Sequence, residues 1–302
     1  MNNFGLQYNK DDLFDKTGFR KKARLFQSKY RAEILNVGYD EYGNRLTEED
    51  GSKGLNFYNG FLIFEEVKKR YPKFNKGLYC DMLRSEHIPF NLFIPFKHDK
   101  SYCKNVFNDL LKNTIKSLDR LEIEYAPSPK EKYLDDNTSF DAYIEYTHIN
   151  NTKGVLGIEV KYTEHEYKLK KGSKEEALIK NKKSPYYRTS EQSKLYKPEA
   201  YKLLPTDKFR QVWRNQLLGE SILLEDKDEF SFFTSMTFFP SGNTHFIEVS
   251  KEYISFLTNN NNKFDPVTFE LFISICKNHC PNINFRQWID YLSSRYIINE
   301  TI

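Results

Sequence analysis

Two short alternating segments, joined by a polar turn, constrain the fold more than any other part of this chain. Phe140-Asp141-Ala142-Tyr143-Ile144-Glu145-Tyr146 and Val155-Leu156-Gly157-Ile158-Glu159-Val160-Lys161 flank Asn150-Asn151-Thr152-Lys153-Gly154. Turn residues between two β-prone runs predict a hairpin, with strands near 140–147 and 154–163. Successive side chains of a strand point to opposite faces. Ala142, Ile144 and Tyr146 therefore share one face, as do Leu156, Ile158 and Val160. Pairing these sets makes an apolar surface that helices can cover. The same register gathers Asp141, Glu159 and Lys161 on the opposite face, and a slip of one residue destroys both results together. A turn around residue 150 or 151 sets Asp141 across from Glu159 or Lys161.

Two carboxylates and an ammonium group on one face have a specific chemistry. Hard cations such as Mg²⁺ or Mn²⁺ prefer oxygen ligands. Asp141 and Glu159 are the candidate metal ligands, with the backbone carbonyl of Val160 as a further oxygen. A cation held there polarises a phosphate and lowers the pKa of an attacking water. Lys161 would orient that water or offset transition-state charge. The plainer reading is a solvated strand face, on which a Glu-x-Lys triplet is common; the aspartate at hairpin distance favours the site. Glu145 shares the Asp141 face but lies four residues on, on the order of 13 Å away at strand rise, and reads as a solvated or groove residue.

The surrounding chain reads as mixed α and β. Helical patterns cover residues 11–35 and 104–118, where Val106, Leu110, Ile115 and Leu118 approximate a stripe. Residues 77–96 suggest a helix ending near Pro95, and residues 120–125 alternate like a strand. Gly38, Gly43, Gly51, Gly54 and Gly60 mark residues 38–60 as loop or short hairpin, without the spacing of a phosphate-binding loop. Residues 164–205 are charged, lysine-rich, lack clear periodicity and read as an insertion or mobile loop. A helix follows over 207–224, with Asp207 as its expected N-cap, then a strand over 230–240. Asn259–Asn262 reads as a low-complexity loop, and two closing helices are expected near 265–279 and 284–297.

Composition sets broad limits. The 302 residues suit one large domain or two associated ones. Hydrophobic residues make up 39%, and 25 Phe and 21 Tyr supply large buried area. A net charge of +4, from 46 basic and 42 acidic residues, is too mild to prove nucleic-acid binding. Where the charges lie matters more than their sum. The N-terminus lacks a secretory apolar segment and no run approaches a membrane span, so a cytoplasmic protein is expected. Cys276-Lys277-Asn278-His279-Cys280 could place ligands on one helical turn, but a zinc site needs four ligands. Packing roles for reduced cysteines are the expectation for Cys80, Cys103, Cys276 and Cys280.

On Asp141 and Glu159-Val160-Lys161 in their hairpin context, the chain resembles the PD-(D/E)xK nuclease superfamily, over roughly residues 80–240. It departs from the name motif, since Ser139-Phe140-Asp141 stands where Pro-Asp is usual. Leu83–Phe93 and the later Arg/Gln helix are similar to a bacterial restriction-endonuclease-like branch. The resemblance implies an α/β, restriction-endonuclease-like fold, with a central mixed sheet flanked by helices and helical N- and C-terminal additions. The corresponding division is an extension over 1–76, a nuclease core over 77–245 containing the basic insertion 164–205, and a helical extension over 246–302.

By the same resemblance, an acid from an early helix joins the two strand acids. Glu86 is the candidate, a plain helix-surface glutamate being the other reading; Glu65 and Glu66 are weaker rivals, and His87 reads as a local hydrogen-bonding residue. Gln211 and Arg214 share a face of the later helix and are candidate phosphate contacts. Arg188 closes a segment, residues 161–188, that holds nine Lys or Arg and four Glu. Tyr162, Tyr167, Tyr186 and Tyr187 interleave with them, and basic and aromatic residues together suit a nucleic-acid strand. The implied activity is Mg²⁺- or Mn²⁺-dependent cleavage of DNA, with RNA not excluded, by a restriction- or defence-type endonuclease that could act as a homodimer. Two alternatives stay open: a catalytically inactive nuclease fold that binds nucleic acid, and a partner-binding protein whose three polar residues are chance surface chemistry.

Overall fold

The computed structural model describes residues 4–15, 17–259 and 263–298. Five strands form one sheet in the order β1-β2-β3-β4-β5: β1 (Ile115–Tyr125), β2 (Phe140–His148), β3 (Lys153–Val160), β4 (Phe230–Phe239) and β5 (Phe264–Thr268). The first three are antiparallel, while β3, β4 and β5 run parallel. The hairpin turn between β2 and β3 uses Asn151 in a left-handed conformation, φ 68°, which Asn tolerates better than most residues. Parallel pairing of β3 with β4 needs a crossover, and helical segments supply it.

Helices cover both sheet faces. Before the sheet come α1 (Lys10–Phe14), α2 (Phe19–Lys29), α3 (Glu48–Ser52), α4 (Ile63–Arg70), α5 (Lys76–Cys80), α6 (Ile88–Phe93) and α7 (Lys100–Leu110). The crossover holds α8 (Lys174–Lys180), α9 (Pro185–Ser193) and α10 (Arg210–Glu225); α11 (Thr244–Phe256), α12 (Phe269–Asn278) and α13 (Ile283–Tyr296) follow. Ala142, Ile144, Tyr146, Leu156, Ile158 and Val160 pack into one core with residues of α2, α6, α7, α12 and α13. That core draws on residues from Phe19 to Tyr296. Tyr143, Val155 and Phe233 face a second core, built with Tyr186, Trp213, Leu217 and Tyr253.

Several expected elements differ, each for a physical reason. The helix expected over 77–96 is broken into α5, α6 and two 3₁₀ turns. Pro89 and Pro95 each open a new helical piece, since proline lacks an N–H and disfavours helix at the preceding residue. The helix expected over 104–118 stops at Leu110. Lys112 and Asn113 turn left-handed, and Ile115 and Leu118 open β1 instead. The region 164–205 is not a structureless insertion. It holds α8 and α9, anchored by buried Tyr186, Tyr187 and Tyr196. Its exposed lysines mask the apolar anchors that order it. The 38–60 segment contains α3, capped by Thr47, whose hydroxyl accepts from the Asp50 amide at 3.1 Å. Asp207 does not cap α10; it binds Arg210 and the Leu169 amide. Helix α11 and strand β5 were not foreseen. Residues 260–262 of the expected Asn-rich loop lie outside the described residues. Among the described residues no helix is long and apolar enough to cross a membrane.

Candidate active site on the three-stranded face

The hairpin register is the one the alternation demands. Ala142 pairs with Ile158, Tyr143 with Gly157 and Ile144 with Leu156. One step further along the same register, Asp141 falls across from Glu159. Asp141 Oδ2 accepts the Val160 amide at 2.6 Å, which ties the acid to the end of β3. Lys161 follows β3; its own amide donates to the Phe238 carbonyl at 2.8 Å, continuing the pairing with β4. Its ammonium group lies 2.6 Å from Glu159 Oε1 and 5.3 Å from the Tyr167 ring centroid. Asp141, Glu159 and Lys161 thus meet on one face.

Burial makes these charges costly and mutually dependent. Lys161 is 4% exposed. Burial alone would discharge it, but the neighbouring charges of Glu159, Tyr167 and Asp141 win, and its pKa is raised. The Asp141 carboxyl is raised too, which for an acid favours the neutral form: burial, then the charges of Glu159 and Glu124, push it well above the usual carboxylate range. The Lys161 charge and the Val160 amide offset this only partly.

Two contributors were missed from sequence. Asn215, buried on α10, donates from Nδ2 to Glu159 Oε2 at 2.6 Å. The available signal was its position, one helical turn beyond Gln211 on the same face. Glu124, near the end of β1, is the other. Burial first, then the charge of Glu159, raise its carboxyl to about 7. Tyr71, just after α4, closes the rim. Its phenol is pushed up to about 12 by burial and by the charge of Glu124, with smaller contributions from Glu86 and Asp141.

Glu86 lies at the edge of the site, where its charge adds to the rise in the Glu124 carboxyl. It pairs with Arg84 at 2.5 Å and is 41% exposed at the side chain. Glu66 pairs with Lys97 at 2.9 Å. His87 is fully buried against the rings of Phe57 and Tyr296. Arg214 is turned away from an open groove: it binds Asp136 at 3.1 Å, Thr138 at 2.7 Å and Glu175 at 2.9 Å, tying α10 to the loop before β2 and to α8. Gln211 is half-buried and Arg188 is exposed on α9. Glu145 pairs with Arg120 at 3.1 Å. Of the interleaved tyrosines, Tyr162, Tyr186 and Tyr187 are buried in the cores, and Tyr167 is 45% exposed.

The donor set suits a divalent cation. Asp141, Glu159 and Glu124 influence one another's charge, and Lys161 is the ammonium group among them. Three acids against one lysine crowd a half-buried face, and their mutual repulsion keeps them from all ionising without a counter-ion. Among the described residues, no three His, Cys, Asp or Glu side chains converge as a ready-made metal cage. Mg²⁺ does not require one, because it commonly binds through one or two carboxylates and keeps several waters. All four cysteines are free, and none joins this site.

A cleft of about 540 Å³ adjoins Lys161 through Tyr167 and is lined by Arg20, Arg45, Arg84, Glu164 and Lys168, among others. No curated protein and no solved structure matches the chain. A family model does match, over residues 14–298, and it covers the site, the sheet and both sets of helices. The chain therefore belongs to the PD-(D/E)XK nuclease superfamily.

Proposed function

We propose that this protein is a metal-dependent phosphodiesterase that cleaves DNA by attack of an activated water, as a restriction- or defence-type endonuclease. The observation that carries the reading is the placement of Asp141 across from Glu159, with the buried Lys161 ammonium 2.6 Å from the glutamate. Asp141, Glu159 and the Val160 carbonyl would hold Mg²⁺ or Mn²⁺, which when bound polarises the phosphate and activates water. Lys161 stands ready to hold a water or to neutralise developing phosphate charge. Asn215 fixes the second oxygen of Glu159, so that the carboxylate cannot swing away.

A polynucleotide substrate is supported by the chain that leaves the site. Tyr167 covers Lys161 with its ring, and Lys168, Lys170, Lys171, Lys183 and Arg188 are exposed beyond it. Cations along such a path neutralise phosphates, and an exposed ring offers a stacking surface. Free thiols at all four cysteines accord with a reducing compartment such as the cytoplasm. Cleavage of both strands of a duplex is often shared between two active sites, which a homodimer would supply.

The test is cleavage of duplex DNA, single-stranded DNA and RNA with Mg²⁺, Mn²⁺ or EDTA. Wild type should cut DNA only with the cation, and Asp141→Ala or Lys161→Ala should abolish cutting. Undiminished cleavage by both variants sinks the assignment. Nucleic-acid binding without cation binding or cleavage would favour the inactive binding protein instead.

A further inference from the structure

Glu124 has no role in a two-acid site, yet the sheet delivers it there. Ile123 pairs with Ala142 and Tyr125 with Phe140, so the residue between them, Glu124, stands across from Asp141. Asp141 in turn stands across from Glu159. Glu124, Asp141 and Glu159 therefore form one ladder across three adjacent strands. Directly opposed residues on a sheet have Cβ atoms about 4.5–5.5 Å apart.

We infer that Glu124 is the third acid of the cation site, acting on the hydration shell of a divalent cation held by Asp141 and Glu159. The inference rests on the metal-dependent reading above and gives β1 the place that sequence assigned to Glu86. Two further features are built around this side chain. Glu124 adopts φ 57°, a left-handed conformation rare for a glutamate within a strand. Such conformations persist only where the surrounding structure over-determines them, and they cluster at functional sites. Ser139, at the point where the chain departs from the usual Pro-Asp motif, sets its hydroxyl 3.5 Å from Glu124 Oε2. Arg70 braces the residue from the rim, donating to its backbone carbonyl at 3.3 Å.

Position in the outer layer follows from the same geometry. The three acids do not converge as a cage, and Mg²⁺ keeps waters that need acceptors. A carboxylate one layer out accepts hydrogen bonds from those waters and orients them. Glu86 is half-buried at the edge of this group and is already paired with Arg84.

The experiment is calorimetric titration of the full chain with MnCl₂, comparing wild type with Glu124→Gln, Glu86→Gln and Asp141→Asn, each checked for folding by circular dichroism. Loss of an outer-layer partner typically costs about 10–100-fold in metal affinity, so Glu124→Gln should weaken Mn²⁺ binding at least about tenfold. Glu86→Gln should leave affinity near wild type, and Asp141→Asn should abolish binding. Wild-type affinity in Glu124→Gln, with binding lost in Asp141→Asn, overturns the inference and leaves the nuclease reading standing. Weakening by Glu86→Gln instead of Glu124→Gln also overturns it. Absence of Mn²⁺ binding by wild type removes the metal-dependent reading, and the inference with it. Should Glu124→Gln fail to fold, Ser139→Ala serves: weaker binding supports the inference and unchanged binding overturns it.

Discussion

Glu124 couples the site to stability through protons. Its folded pKa of about 7, raised by burial and then by the charge of Glu159, lies above its ordinary value of 4.5. The folded chain therefore holds a proton that the unfolded chain releases between those two values. Stability linked to this group is fully present below about pH 4.5 and is lost as pH rises toward 7. In EDTA, the urea midpoint of wild type should fall between pH 5 and pH 7.5, and Glu124→Gln should flatten that fall. An unchanged pH dependence in the variant would show that another group carries it. Asn215 makes a different prediction. Its amide is the 2.6 Å donor to Glu159 Oε2, and Asn215→Ala leaves that carboxylate free to reorient. Loss of such a support typically costs about 10–100-fold in activity or metal affinity, so cleavage should drop by that order while the circular dichroism spectrum holds. Asn215→Asp should be worse, because it adds a further negative charge beside Glu159.

Helix α10 holds Asn215 in place only because it lies unusually close to the sheet. A Cβ placed on Gly219 would meet the Phe233 ring of β4 at 1.9 Å. Replacing a helical glycine by alanine ordinarily gains about 1 kcal/mol. Here overpacking costs about 1–3 kcal/mol and also shifts α10 away from β3. Gly219→Ala should therefore lower the thermal midpoint and reduce cleavage together, as read by calorimetry and a nuclease assay. A rise in the midpoint would show that the helix can retreat freely. Gly157 plays a similar part within the hairpin, where a Cβ would meet the Phe140 ring at 2.3 Å. Aromatic rings over glycines thus set the spacing on the side of the sheet that carries the candidate site. The hairpin itself was legible from sequence because its period is two and its turn is polar. The helical stripe read across 104–118 failed because Ile115 and Leu118, spaced as on a helix, belong to a strand that begins after Lys112 and Asn113 turn left-handed.

In the whole molecule, helices α2 and α13 are part of the body that carries the site. Gln27 on α2 donates to the Tyr162 hydroxyl at 2.7 Å and to the Arg295 carbonyl at 2.8 Å, joining the N-terminal helix, the end of β3 and α13. Arg295 in turn donates to Asn56 at 2.8 Å. A cation bound next to Lys161 should therefore stabilise the entire fold. Binding at a hundredfold excess over Kd contributes about 2.7 kcal/mol. Mn²⁺ should raise the thermal midpoint of wild type, and Asp141→Asn should lose that rise. An equal rise in both proteins would place the ion elsewhere.

The sequence by itself determined the hairpin, its register and the meeting of Asp141, Glu159 and Lys161, because strand alternation ties side-chain direction directly to position. Only the tertiary structure decided the rest of the site. Glu124 reaches it through pairing between β1 and β2, Asn215 through packing of α10 on the sheet, and Arg214 leaves it through ion pairs with Asp136 and Glu175. Those placements depend on contacts between residues distant in the chain, and no local period encodes them. Glu86 looked suitable in sequence because it is an acid near an early helix. Its pair with Arg84, against the place of Glu124 across from Asp141 in the sheet, is a distinction that only strand pairing makes.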